Sequence, residues 1–339
     1  MPRTERPRQL FTRTLPALGI LAILIALGCS PAAASNLTAT DGRSTIVSID
    51  PPGVISASVV GGDAALRVVA ETGHEVVVLG YQGEPYLRIA VDGSTAVNAH
   101  SPARVLNQTR DGDSGAAPDA ASIPDEPEWL PLDGSGEVIW HDHRIHSMAA
   151  VIDELDWTVS LLVDGQPTEI RGLLKVESPP TVLPWVLVIA ALSGLAVLTG
   201  RRNPAVVAVV LAAIAAVVSV VLAAVVTIST PVQLGRDLFP VLLTIGASLT
   251  CAGAVILRGR SRMILTVASA ALSAGFLATM VRNLATAVPM PAVGPPVVNR
   301  IAVSLALASM LATIVLAVIA SGRPSTATRP SAPPQPTAP

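Results

Sequence analysis

Five apolar runs dominate the chain from Thr181 onward: Val182–Leu198, Ala205–Ile228, Leu238–Leu257, Met263–Val281 and Ile301–Ala320. None of them contains Asp, Glu, Lys, Arg or His. Each approaches the roughly 20 residues that a helix needs to cross the hydrocarbon core of a bilayer. In lipid the backbone must satisfy its own polar groups, so runs of this kind fold as helices. Residues 181–320 are therefore expected to form an all-α bundle of five transmembrane helices. Pro184 falls near the start of the first run, where proline is tolerated. Small residues recur at helical spacing, as in Gly246 with Thr250, Ser269 with Ser273 and Ala270 with Ala274. They permit close helix contact, although an Ala-rich chain produces the pattern by chance as well. Intramembrane ionisable groups usually mark ion and proton paths. Their absence from the runs argues for an anchor over an ion-coupled transporter.

The charges are sorted along the chain. All but two of the 24 acidic residues, Glu5 and Asp237, lie between Asp41 and Glu177. After Val182 one acid faces ten arginines. A soluble protein is about a quarter charged residues, against 14% here, and the deficit belongs to the apolar half alone. Arg201, Arg202, Arg258, Arg260, Arg262, Arg323 and Arg329 fall on one side of five alternating helices, and Arg236, Arg282 and Arg300 on the other. The positive-inside rule makes the first side cytoplasmic. The expected location is the plasma membrane, with the acidic N-terminal part outside the cell. The acidic part is a poor partner for nucleic acid; the expected partners are the lipid bilayer and a membrane or envelope protein.

The leader supports export. Arg3, Arg6, Arg8 and Arg13 precede an apolar stretch from Leu15 to Gly28 and then Ala32-Ala33-Ala34. This is the pattern of a secretory signal cleaved after Ala34, giving residues 1–34 as signal peptide. Lipidation at Cys29 and retention of the leader as an anchor stay open alternatives. Residues 321–339, rich in Pro, Ala and Thr, are expected to be a disordered cytoplasmic tail.

Residues 35–180 read as an all-β domain, a sandwich or small barrel. Short β-branched runs occur at Thr45–Ile49, Val54–Val60, Leu66–Ala70, Glu75–Leu79, Tyr86–Ala90, Val138–Trp140, Thr158–Val163 and Glu169–Val176. Turn residues punctuate them. The clearest hairpin is Trp157–Val176, around Asp164-Gly165. Between Arg110 and Gly136 the pattern fails, and 110–136 reads as a solvated acidic loop. Asp153, Glu154 and Asp156 are expected in a short helix before Trp157. The only cysteines, Cys29 and Cys251, lie outside this domain. Disulfides, thiolate metal sites and a cysteine nucleophile are therefore excluded from it.

Two stretches could carry chemistry. The first is Trp140-His141-Asp142-His143-Arg144-Ile145-His146-Ser147-Met148. Imidazole and thioether suit copper, and imidazole suits zinc, so His141, His143, His146 and Met148 form a candidate metal site for copper or zinc. On a strand His141 and His143 share a face, and Asp142 is placed to orient an imidazole. The plainer reading is a polar strand end whose charges pair with one another. His74 and His100 read as exposed turn residues, with completion of the site by either as the open alternative. The second stretch is Gly80–Arg88, with Tyr81, Glu84, Tyr86 and Arg88 as a candidate binding loop; the plainer reading is a rigid turn with Glu84 paired to Arg88. Ser147 beside His146 is a sequence neighbour and not a triad. With no phosphate loop or strict metal motif, no enzymatic activity is expected.

Gly80–Arg88, Ser101-Pro102-Ala103 with Leu106-Asn107, and Trp140–Arg144 with His146 and Met148 resemble a group of uncharacterised actinobacterial multi-pass membrane proteins with an exported β domain. The group typically has Trp where this chain has Ser147. The resemblance implies localisation and architecture and supplies no catalytic residues. The function expected is ligand or partner binding by the exported domain, with copper or zinc as its sharpest form. The alternative is an accessory subunit of a membrane complex, and a transporter component comes third.

Overall fold

The computed structural model describes residues 37–108, 124, 126–146, 153–231, 234, 238–291 and 294–322. The leader, the tail, Arg236, Asp237, Ser147 and Met148 lie outside them. The expected acidic loop does so in part.

Ten strands form two antiparallel sheets: β1 (Gly42–Asp50), β2 (Ile55–Val60), β3 (Ala65–Ala70), β4 (Val76–Leu79), β5 (Pro85–Ile89), β6 (Ser94–Asn98), β7 (Trp129–Ser135), β8 (Glu137–Trp140), β9 (Glu154–Val163) and β10 (Gln166–Val176). The larger sheet runs β1-β10-β9-β4-β5-β6-β7 and the smaller β2-β3-β8. One core joins their inner faces: Leu66, Val68 and Val138 from the small sheet meet Val76, Val78, Val159 and Ile170 from the large one. The domain is thus an all-β sandwich, one of the two forms, sandwich or small barrel, that the alternation left open.

Local chemistry fixes the longest hairpin. β9 and β10 pair from Gln166 with Val163 onward, leaving Asp164-Gly165 as a two-residue turn. Both have positive φ, 49° and 76°, the conformation that matches strand twist. Farther along, Trp157 lies opposite Gly172. A Cβ on Gly172 would overlap the indole and also crowd the Thr45 carbonyl, so the glycine gives the ring its place in the core.

Four features depart from the sequence expectations. Ser94–Asn98 is a strand because Asp92-Gly93 turns β5 back on itself; Thr95 and Val97 face inward. Trp129–Ser135, inside the expected acidic loop 110–136, is also a strand. It is a mostly exposed edge strand held by β6, and its Pro131 is acceptable at an edge. Pro102–Leu106 forms a short helix, α1. Glu154 and Asp156 do not start a helix: they extend β9 past the core, opposite Lys175 and Leu173, where polar side chains face water.

Five helices follow: α2 (Leu183–Gly200), α3 (Pro204–Ser229), α4 (Phe239–Ile256), α5 (Gly259–Met280) and α6 (Pro296–Ser321). All are long and apolar enough to cross a membrane, and the protein is an integral membrane protein. Small side chains line the contacts. Ser269, Ala270 and Ser273 are fully buried, and Ser269 Oγ donates to the Ala247 carbonyl of α4 at 2.8 Å. Ser193 donates to Ala308 across α2 and α6 at 3.2 Å. These two hydroxyls find partners on the neighbouring helix, whereas Ser219, Ser273 and Ser304 bury theirs without one.

The connection between α5 and α6 meets the β domain. Thr40 and Val288 exchange two backbone hydrogen bonds, 3.0 and 2.8 Å, and Ala287 N donates to Asp41 Oδ1 at 2.7 Å. Leu37, Ala64 and Met290 pack together beside Val60 and Leu234. Polar side chains hold this connection in shape. Asn283 bonds Met290 at both N and O, 3.1 and 2.6 Å, and reaches Asn299 Oδ1 at 2.9 Å. Arg300 donates to the carbonyls of Asn283, Thr286 and Ala287 at 2.7–3.1 Å. Arg300 therefore sits in α6 with its charge spent on backbone carbonyls. The short connections Arg201–Asn203 and Leu257–Arg258 fall at the opposite ends of the helices.

Substituting Gly172→Ala is expected to cost about 3 kcal/mol, since overpacking a filled core forces backbone shifts. A lowered denaturation midpoint of the full-length protein, read by tryptophan emission, checks this.

Candidate functional site

The motif stretches meet at one end of the sandwich. Strand β8 stops after Trp140 because the next residues are captured by side chains. Asp142 Oδ1 accepts from Arg144 N at 2.9 Å and opens a single 3-10 turn, His143–Ile145. The same carboxylate accepts the Trp140 indole N–H at 2.7 Å and both arms of the Arg144 guanidinium at 2.8 and 2.7 Å. Asp142 is 0% exposed. Arg144 also donates to the Leu79 carbonyl at 3.3 Å and lies 4.9 Å from the Tyr81 ring centre. Burial by itself would raise the Asp142 carboxyl. The hydrogen bonds and charge of Arg144, with the Trp140 N–H, outweigh it and hold the group below the usual carboxylate range. Asp142 thus serves Arg144 and Trp140, where a role in orienting an imidazole had been expected.

Tyr81 ties this corner to α1. Its hydroxyl donates to Asn107 Oδ1 at 2.5 Å and accepts from His143 N at 2.9 Å. Burial, with the nearby Asp142 charge, pushes its phenol far above the ordinary tyrosine value. Glu84 is buried too: Oε1 accepts from Ser101 Oγ at 2.7 Å and Oε2 from Gln82 N at 3.0 Å. The Glu84–Arg88 pair expected from sequence does not form. Arg88 on β5 pairs with Glu75 at 2.7 Å and stands over Trp129, because Glu84 precedes the strand and is drawn inward. Of the candidate loop residues, Tyr81 and Arg88 are half-buried, and Glu84 and Tyr86 are buried.

The histidines divide. His141 is buried, with Nδ1 2.6 Å from the Ala64 carbonyl, a contact that needs the proton on Nδ1. The strand has ended, so the shared face expected for His141 and His143 is lost. His143 instead meets His146 edge-on, ring centres 5.3 Å apart. His74 pairs with Asp164 at 2.7 Å and His100 with Glu128 at 3.0 Å. Among the described residues no three His, Cys, Asp or Glu side chains converge on one point; Met148 lies outside those residues.

A cavity of about 530 Å³ opens beside this corner, between β6–β7 and β8. Leu87, Val97, Val138 and Trp140 form its apolar part; Arg104, Asp133 and Glu137 bring charge to it. Leu234, from the connection between α3 and α4, also lines it. Asn107 faces the cavity and is 7% exposed, and its Nδ2 makes no hydrogen bond. The Tyr86 phenol, raised chiefly by burial, feels the Asn107 amide nearby, but no bond of good geometry forms at Nδ2. A buried donor without an acceptor costs about 1–3 kcal/mol. Sequence reasoning passed over Asn107, Val97 and Leu234, since the cavity comes from strands β6 and β7 that lack a strong apolar pattern. The one signal was Asn107, which stood among the residues of the family resemblance.

No family model, curated protein or solved structure matches this chain.

The Asp142–Arg144 pair sets an acid limit. A carboxylate with a lowered folded pKa stabilises the fold above its unfolded value, near pH 4, and the contribution fades as pH falls through the folded value. Asp142→Asn strands Arg144 and is expected to cost about 3–5 kcal/mol at pH 7. Its penalty should shrink below pH 4, as wild type loses the same contribution. Denaturant midpoints between pH 3 and 7 measure both effects.

Proposed function

We propose that the β-sandwich is the extracytoplasmic, ligand-binding part of a plasma-membrane protein, with the cavity between β6–β7 and β8 as its site. The observation carrying this reading is a cavity of about 530 Å³ lined by apolar side chains together with Arg104, Asp133 and Glu137. That volume is within the range of small-molecule pockets, which are concave, largely apolar and supplied with a few polar groups that fix orientation. The outward orientation is supported by Arg201, Arg202, Arg258, Arg260 and Arg262, which gather at the helix ends away from the domain. The rigid corner built by Trp140, Asp142, Arg144 and Tyr81 holds the cavity wall in place. The same corner gives the polar motifs a role in binding that requires no catalysis. Val97 is buried and lines the cavity, so Val97→Phe fills it from within. Organic extraction of the purified full-length protein should release one small molecule near stoichiometrically. The Val97→Phe protein should carry at least about tenfold less. An empty wild-type protein overturns the reading.

A second reading, copper or zinc held by His143 and His146, is favoured by their adjacent rings and by the suitability of imidazole for either metal. His141, turned to Ala64, falls outside this pair. After loading and dialysis the full-length protein should retain copper or zinc. His143→Ala with His146→Ala should lose it, and His141→Ala should keep it. Wild-type protein with no retained metal removes this reading.

A further inference from the structure

We infer that the open edge of β8 is a docking site for an extended segment of another polypeptide, which adds as a strand beside β8 and turns alternate apolar side chains into the cavity. The inference goes beyond the small-molecule reading above and does not depend on it.

A two-sheet sandwich has two open sides, and here they differ. On one side β1 and β2 stand at the sheet edges. Ser44 N of β1 donates to the Gly62 carbonyl just past β2 at 2.9 Å, and Ile46, Ile49, Ala57 and Val59 pack against the shared core. On the other side β7 and β8 stand at the edges, joined through Gly136, and the cavity of about 530 Å³ opens beside them. Its lining is unbroken along both strands, residues 130–133 of β7 and Glu137–Trp140 of β8. Side chains alternate between the two faces of a strand, so neither run lines the cavity by side chains alone. The cavity is bounded by strand edges, where main-chain N–H and C=O groups stand.

The two edges are unequal. β7 carries Pro131, which has no N–H to give β6, so its nitrogen faces the open side and interrupts that edge. β8 carries neither proline nor bulge. Among the described residues β8 pairs with β3 alone, and an edge of this kind is a template for a further strand. Val138 and Trp140 lie opposite Val68 and Leu66 and point into the core. A strand laid along Val138, Ile139 and Trp140 therefore directs its matching side chains toward Leu87, Val97 and Leu130, the apolar wall of the cavity. Its other face lies beside Glu137 and Ile139. Glu137 pairs with Arg67 of β3, and Asp133 adds a second acid at the cavity. Opposite charges on neighbouring strands support pairing, so lysine or arginine belongs at the outward positions of the segment. Main-chain pairing gives such a complex its affinity, and pockets for alternate side chains give it selectivity.

The probe is a fluorescein-labelled nonapeptide in which valine alternates with lysine and threonine, added to the full-length protein in detergent. Saturable binding by fluorescence anisotropy is expected, with slowed amide hydrogen exchange at Glu137–Trp140. Two further peptides carry N-methyl groups on alternate amides, one set facing β8 when the valines point inward and the other facing away. Methylation toward β8 removes several hydrogen bonds and should weaken binding at least about tenfold, while methylation on the far edge should change it less than about twofold. Equal binding by both methylated peptides means attraction to the acidic surface alone and overturns the proposal. Absence of binding, or binding without protection at Glu137–Trp140, overturns it as well. Protection there that rises with protein concentration in the absence of peptide gives the edge to a second copy of this chain, and the peptide assignment falls. Peptide binding to a protein found empty on organic extraction keeps the docking site and removes the small-molecule reading. An extracted molecule without peptide binding does the reverse.

Discussion

Lipid offers a protein no hydrogen-bond partners, and this constraint organises the whole molecule. Inside the bundle each helix satisfies its own backbone, and stray hydroxyls such as Ser193 and Ser269 bond carbonyls across helix contacts. Where the chain leaves α5 and must turn into α6, the backbone loses that shelter. Asn283, Asn299 and Arg300 supply the missing donors and acceptors, and Thr40 and Asp41 of the β domain supply the rest. The demand for satisfied backbone thus joins the two halves of the protein. It also brings Leu234 and Met290 against the sandwich and so places the cavity next to the bundle.

The polar motifs of the β domain follow the same economy. A sequence such as Trp-His-Asp-His-Arg invites a search for ligands of a metal or members of a catalytic set. In the folded chain its alternate residues, Trp140, Asp142 and Arg144, face inward and bond one another. A buried pair of this kind adds little net stability over an apolar replacement. Its value here is geometric: it ends β8, turns the chain at His143 and clamps Tyr81 and Leu79 from the neighbouring turn. The wall of the cavity is rigid because these groups have no alternative partners in a dry corner. Asn107 Nδ2 and Trp157 Nε1 are left buried in this domain without a hydrogen-bond partner.

Legibility varied with the physical origin of each feature. The helices were plain because a bilayer demands length and apolarity together, and both are read by counting. Strands with β-branched alternation, such as Leu66–Ala70 and Glu169–Val176, were equally plain. β6 and β7 were not, since Ser94–Asn98 and Trp129–Ser135 are strands through pairing with each other and with β5, and most of β7 faces solvent. The acidic start of β9 misled for the same reason: Glu154 and Asp156 continue a ladder beyond the core. At the candidate site the stretches singled out in the sequence come together at one corner of the sandwich. The pairings within them, Arg88 with Glu75 and Asp142 with Arg144, depended on which way each strand end turned.

The amino-acid order alone determined that the chain divides into a β-rich acidic part and five apolar helices, because hydrophobic length, strand alternation and charge placement are local properties of the chain. Only the tertiary structure decided that three separated motifs share one corner, that Arg300 caps a loop, and that a cavity lies between the sheets above the helix ends. Those outcomes arise from contacts between residues tens to hundreds of positions apart, as between Asp41 and Ala287. No local pattern encodes which buried donors and acceptors will find each other once the chain has closed.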